Sequence, residues 1–437
     1  MTFNQIRSMI LILISAISIG TVLLLAVYCL PTERMFEHIK SSKDFMMAGE
    51  VPRWSKSVIH TSLDNFADAI MLMKAAYPVK NVIESAMLNP SWGGNYSPAE
   101  GLVKIIDLNL YNAKPDPNIG FNENEFIYPR YWHGYLTVMK PMLLLFKSEQ
   151  LRVINLYIQF FLVLTAMILM YKKLGIYYTY AFGLVALAIN PVTTVLAFQH
   201  TNVFCTMLLT VIIILLFNDK LKKGNRYAYF FMIIGIITAY FDLLTYPMVP
   251  LGIGLTLYLA LNKDLYSKTS EKNLILQLLN KCFSWSFGYI GMWSGKIILA
   301  TILTNQNIIA DALNELIIRT SHHEGHGFEG EPITIIGTIL KNGNSICEGP
   351  IKIIFLLTFI YLIYLIFVKY KDKFKFDKLK FTAFAFTTSL PFLWYAATCN
   401  HSFVHNHFAY RELTVALFGS IAFIIESIPA LKQTENN

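Results

Sequence analysis

Apolar and polar positions fall in long blocks along this chain, not in the two-residue alternation of a half-buried strand or the 3.6-residue alternation of a surface helix. Ten apolar stretches stand out, at approximately 8–30, 151–171, 176–198, 201–218, 227–241, 245–262, 276–301, 351–368, 379–398 and 412–428. Most approach the roughly 20 residues needed to cross about 30 Å of hydrocarbon. They predict an all-α polytopic membrane protein with about ten transmembrane helices, built as one transmembrane domain over residues 1–437. Arg7 in front of the first stretch imitates a signal peptide, but the apolar run exceeds a typical h-region and no small-x-small cleavage site follows, so a retained helix is expected. Two polar segments, 31–150 and 305–350, are too long to be simple connections. Both are rich in Trp, Tyr, Gly, Pro and His and lack the low-complexity polar mix of disorder, so they are expected to fold over one mouth of the bundle.

Composition agrees with the block pattern and sharpens it. The 437 residues are 55% hydrophobic and 15% charged, where a soluble domain carries roughly 25% charge. That balance excludes an ordinary soluble enzyme. The formal net charge of +8 takes its meaning from its placement. With the N-terminus cytoplasmic, the short segments on that side hold 17 basic residues, among them Lys172, Lys173, Lys220, Lys222, Lys223 and Lys369 to Lys380, against six acids. An even number of spans with both termini cytoplasmic therefore satisfies the positive-inside bias. The basic runs anchor topology, and no nucleic-acid partner is expected. All ten histidines fall on the opposite, extracytoplasmic side, as do both long segments. The expected location is a bacterial-type cytoplasmic membrane, among membrane lipids. Five scattered cysteines form no CxxC pair and specify neither a zinc site nor a disulfide framework.

Candidate chemistry lies on the same side. In Ser62-Leu-Asp-Asn-Phe-Ala-Asp, Asp64 and Asp68 have i,i+4 spacing, which puts both carboxylates on one face if the stretch is helical. Such a pair can share a metal or divide the work of a general base, and the same spacing also suits a capped amphipathic helix. Further along come Tyr128-Pro-Arg-Tyr-Trp-His-Gly-Tyr, an apolar run broken at Lys140-Pro141, Lys147-Ser-Glu with Arg152, and a span ending in Tyr171-Lys172-Lys173.

This order of motifs resembles the GT-C-fold integral membrane glycosyltransferases that use polyprenyl-phosphate sugars. That family has an acidic motif in a long first outer loop, a His-Pro-Pro-Leu-like segment, a Gly-Ser-Glu-x-x-x-Arg-like turn and a span with a basic end. The likeness covers about residues 55–220, half of the chain. Asp64 lies 34 residues beyond the first stretch, Asn65 stands where the family usually has a second acid, and Trp132-His133-Gly134 stands for His-Pro-Pro. The base is therefore left open between Asp64 and Asp68. The resemblance implies an inverting sugar transfer from a polyprenyl-phosphate donor to a glycan, lipid or protein acceptor on the outer face. No cofactor is required, and a divalent cation is possible.

A departing lipid phosphate needs cations, and Arg130, Arg152, Lys296, Arg319 and Arg411 are the candidates near the outer boundary. Lys296, deep in the seventh stretch, either faces a cavity or snorkels outward. Substrate contacts are expected from Trp132, His133, Tyr135, Asp242, His323, His401, His405 and Tyr410. Arg319-Thr-Ser-His-His-Glu-Gly-His326 gathers three imidazoles and a carboxylate that could hold a divalent ion, but it lacks the HExxH order, and its glycines suit a solvated loop equally well. A surface-polysaccharide polymerase or ligase using lipid-diphosphate oligosaccharides is the alternative reading, with its weight on Arg319, Arg411 and His323. A transporter or flippase fits less well, because that class tends to show repeats or midplane charges.

Overall fold

A computed structural model describes residues 3–111, 120–121, 125–268, 270–323, 330 and 332–432. About 77% is helical and no strand forms among these residues, where only isolated bridges such as Ser91 with Phe126 occur. Among the described residues, six helices are long and apolar enough to cross a membrane: Phe3–Tyr28, Ser148–Leu174, Phe198–Leu221, Glu271–Thr304, Ile351–Lys369 and Asn406–Ser427. The chain is an integral membrane protein of the helical kind.

Of the other four apolar blocks, that at 379–398 folds as the 20-residue helix Lys378–Ala397, with Pro391 inside it, and three fold as shorter helices. Ile176–Ile189 has 14 residues, Arg226–Phe241 16 and Met248–Leu261 14. At 1.5 Å per residue a 14-residue helix falls short of the hydrocarbon thickness. The block at 176–198 is interrupted because Asn190 adopts a left-handed conformation (φ 68°) and its side chain accepts from Thr193 N, capping a new helix, Pro191–Leu196. Pro191 at the first position of that helix cannot donate back into the preceding one.

Two apolar cores organise the molecule. One joins Met170, Phe204, Phe231, Leu255, Leu278, Phe384 and Phe418 across the bundle. The other joins the first helix, through Leu24 and Tyr28, to the first long segment through Phe36, Leu72, Met87 and Trp132, and to the upper part of Glu271–Thr304 through Met292 and Ala300. Helices Arg226–Phe241 and Glu271–Thr304 approach so closely that a Cβ on Gly235 would lie 2.2 Å from the Trp285 carbonyl oxygen, and one on Gly288 2.2 Å from that of Met232. Small residues at a helix seam permit this approach where lipid gives no hydrophobic drive between helices.

The described parts of the two long segments are helical. Residues 31–150 form helices including Glu33–Ile39, Asn65–Ala76, Val82–Leu88, Pro98–Asp107 and Leu136–Leu145. Residues 305–350 form two amphipathic helices, Ile308–Thr320 and Ile335–Ile346. Both segments pack at the same end of the bundle, beside the turns at 242–247 and 398–412.

Candidate functional site

Asp64 is fixed by the start of a helix. It is the N-cap of Asn65–Ala76, where Oδ1 accepts from Ala67 N at 2.9 Å. Asn65 locks the entry by donating from Nδ2 to the Phe45 and Gly49 carbonyls, each at 2.9 Å. The second carboxylate oxygen of Asp64 is 3.6 Å from Nε2 of His407.

Asp68, one turn on, has a different task. It is fully buried and accepts from Phe198 N and Gln199 N, each at 3.1 Å, and from Arg152 Nη2 at 3.4 Å. It thus caps the N-terminus of Phe198–Leu221 from a neighbouring helix. Burial pushes its carboxyl up to about 7, against the pull of Arg152 and the two amides. The i,i+4 pair does not share one site.

Asp64 opens onto a cavity of about 540 Å³. Its walls come from the Asp64 cap, from Tyr128 and Arg130, from Leu243, from Glu315 and Arg319 on Ile308–Thr320, and from the last turn through Asn400, His401, His405 and His407. Five residues singled out in the sequence, Asp64, Arg130, Arg319, His401 and His405, therefore meet in one place although they are up to 341 positions apart.

The two guanidinium groups are held by acids. Arg130 Nη1 donates to Asp311 at 2.9 Å, with Nη2 3.7 Å from Glu315, and its Nε is buried without a partner. Arg319 Nε donates to Glu315 at 3.1 Å, and its Nη1 is 2.6 Å from Nδ1 of His401. A guanidinium only donates, so Nδ1 of His401 carries the lone pair. Its proton then sits on Nε2, which donates to the Leu244 carbonyl at 2.7 Å. Burial, followed by the neighbouring Arg319, holds this imidazole well below its ordinary range and therefore neutral. Leu244 presents its carbonyl from a left-handed backbone conformation (φ 67°), unusual for a non-glycine residue. Asp242 fixes that turn by accepting from Thr245 N and Oγ1 at 3.0 and 2.5 Å.

The remaining candidates lie outside the cavity walls. Trp132 is buried and donates from Nε1 to the Met292 carbonyl at 2.6 Å. His133 is buried between the Tyr135 hydroxyl (3.0 Å) and the Tyr128 carbonyl (2.8 Å), so it supports a cavity residue without facing the cavity. Tyr135 lines a separate apolar groove. Lys296 donates to the Ala86 and Met87 carbonyls, both at 2.8 Å, at the end of helix Val82–Leu88. Arg152 belongs to Asp68. Arg411 is buried behind the cavity, with Nε donating to the Ile189 carbonyl at 2.8 Å, and the Tyr410 hydroxyl reaches the same carbonyl at 3.4 Å. Arg152, Lys296 and Arg411, expected at the phosphate, are thus absent from the walls of this cavity, unlike Arg130 and Arg319. His323 gives its carbonyl to Asn400 Nδ2, while His326 lies outside the described residues. Among the described residues no three His, Cys, Asp or Glu side chains are placed to hold a metal ion.

Sequence reasoning passed over His407, Glu315 and Tyr128 as site residues. His407 sits in the very turn that drew attention for His401 and His405, and its opposition to Asp64 depends on a contact spanning 343 positions. Comparison with protein-family models, with curated proteins and with solved structures returns no match.

Proposed function

We propose that the cavity is the active site of an inverting membrane glycosyltransferase that takes its sugar from a polyprenyl-phosphate donor, on the extracytoplasmic side. The observation that carries this reading is a carboxylate with a side open to the cavity, Asp64, in the same enclosure as Arg130 and Arg319. A single displacement needs a base on the acceptor hydroxyl and positive charge at the departing phosphate. Asp64 takes the acceptor proton as the acceptor oxygen attacks the anomeric carbon. The bond from that carbon to the phosphate oxygen breaks, and the electron pair leaves with the phosphate towards Arg130 and Arg319. Planar guanidinium groups suit phosphate oxygens, and here their acidic neighbours keep them oriented. Tyr128 and Phe408 supply aromatic surface against which a sugar ring can lie. The Lys and Arg bias supports placing the cavity outside, and the order of motifs over residues 55–220 supports the donor class.

The same two arginines would also suit a lipid diphosphate, which keeps an oligosaccharide polymerase or ligase as the competing reading. Purified protein in lipid nanodiscs, given labelled polyprenyl-phosphate sugars or labelled polyprenyl-diphosphate oligosaccharides together with a cell-envelope acceptor fraction, separates the two. Transfer from the monophosphate, abolished in Arg319→Ala, is expected. Transfer from the diphosphate alone would favour the polymerase, and transfer from neither would end both readings.

A further inference from the structure

His407 has no task in the account so far, yet it is the side chain that faces Asp64. Its Nε2 stands 3.6 Å from Asp64 Oδ2 and has no hydrogen-bond partner. That separation is longer than a hydrogen bond, as catalytic contacts often are before substrate arrives. The Asp64 side chain is nearly closed off, at 8% exposure, whereas that of His407 keeps 15% and reaches the cavity. A carboxyl that has just taken a proton in such an enclosure needs a route to lose it before the next turnover.

The surroundings of His407 favour a proton carrier over a structural contact. On its own turn the His405 ring lies 5.9 Å away and Phe408 4.7 Å away, edge-on. Arg411 Nη1 donates to the His407 carbonyl at 3.5 Å. From other elements come Asp64 and His200 on helix Phe198–Leu221, whose ring lies 5.8 Å from that of Phe408, while the His401 ring lies 4.8 Å from that of His405. Asp64 is the acid in contact with it, and the other charged neighbour, Arg411, is cationic. In the same region both ring nitrogens of His200, Oε1 of Gln199, Nη2 of Arg411 and Oε2 of Glu412 are buried without protein partners. Buried polar atoms are rarely left unsatisfied, and a group of them points to ordered water. Imidazole beside a carboxylate can pass a proton in both directions.

We propose that His407 is the relay partner of Asp64. Asp64 receives the acceptor proton on Oδ2 and passes it to Nε2 of His407. The resulting imidazolium gives up the proton on Nδ1 to solvent through the cavity, the carboxylate is restored, and proton exchange with solvent returns the tautomer whose Nε2 is free to accept again. No oxidant, metal or further reactant is needed. The inference rests on the glycosyl-transfer reading given above, and its test separates the two.

Full-length protein in nanodiscs is assayed with labelled polyprenyl-phosphate sugar and the envelope acceptor fraction, across pH, as wild type, His407→Ala and His407→Gln. Both variants are expected to lose roughly 10- to 100-fold in kcat with donor KM unchanged, within the range of general acid–base contributions. Added imidazole should restore His407→Ala in proportion to its free-base concentration, which a merely structural side chain would not allow. If His407→Ala aggregates, the kcat and KM values of His407→Gln, which retains bulk and a polar end, decide alone. Wild-type kcat in either folded variant, or no imidazole rescue of a soluble His407→Ala, would overturn the relay and leave the transfer reading standing. An inactive wild type would overturn both.

Discussion

At the residue scale, the two carboxylates that looked interchangeable in the sequence have opposite fates. Asn caps a helix about as well as Asp, so Asp64→Asn should leave thermal stability close to wild type. Asp68→Asn should not. It leaves Arg152 buried without its counter-charge and turns an amide donor towards Phe198 N or Gln199 N. Breaking one side of a buried ion pair costs about 3–5 kcal/mol, which thermal unfolding in detergent would register as a large drop in Tm. Histidines outside the spans add a pH dependence. Burial holds His60, His133 and His401 below the ordinary imidazole value of 6.5, so all three are neutral in the folded chain and protonate more readily once unfolded. Their contribution to stability is complete above that value and is lost as pH falls below it, by up to about 1.4 kcal/mol per pH unit for each. Tm should therefore fall between pH 7.5 and 5.5, with a shallower fall in His60→Asn. A pH-independent Tm would contradict the neutral assignment.

At the scale of elements, three buried lysines hold the first long segment in place: Lys296 ties it to the bundle, and Lys74 and Lys140 tie its own helices together. Lys296 on Glu271–Thr304 donates to the last carbonyls of Val82–Leu88, Lys74 reaches the Asn89 carbonyl, and Lys140 donates to the Ala75 carbonyl at the end of Asn65–Ala76. Helix C-termini offer unpaired carbonyls and partial negative charge, which welcome an ammonium group. Burial and Lys296 together hold the Lys74 amine well below its ordinary range. Lys296→Met would strand two buried carbonyls, at about 1–3 kcal/mol each. Its Tm should fall, while the donor KM of the folded fraction stays at the wild-type value. A raised donor KM with unchanged Tm would return Lys296 to the phosphate site. The sequence made the intramembrane lysine conspicuous, but its partners are backbone atoms of a seven-residue helix 210 positions away. No local pattern encodes such a contact.

At the scale of the whole molecule, apolar block lengths were enough for helices and for membrane residence. They were not enough for span boundaries, because a turn such as Asn190-Pro191 has apolar flanks and breaks the helix through the left-handed backbone and side-chain cap of Asn190 and the missing N–H of Pro191. The site was legible to the extent that charge and imidazole had gathered in the polar segments. Arg130 and Arg319 could not be told from Arg152 and Arg411 without knowing which carbonyls and carboxylates lie across the fold. The proposed orientation has its own test. Cys29 and Cys347 are both exposed and belong to the cavity end of the bundle. A membrane-impermeant maleimide added to intact cells should label both, whereas a cysteine placed at Lys223 should react only after permeabilisation. The reverse pattern would turn the molecule over and place the cavity in the cytoplasm.

The central claim is that Asp64 is the base of a sugar transfer carried out in this cavity. It is tested most directly by the single-turnover rate of Asp64→Asn with a bound, labelled polyprenyl-phosphate sugar. Loss of general-base catalysis should lower that rate by roughly 10²- to 10⁴-fold, with donor binding and Tm unchanged. Transfer by Asp64→Asn at the wild-type rate would contradict the account.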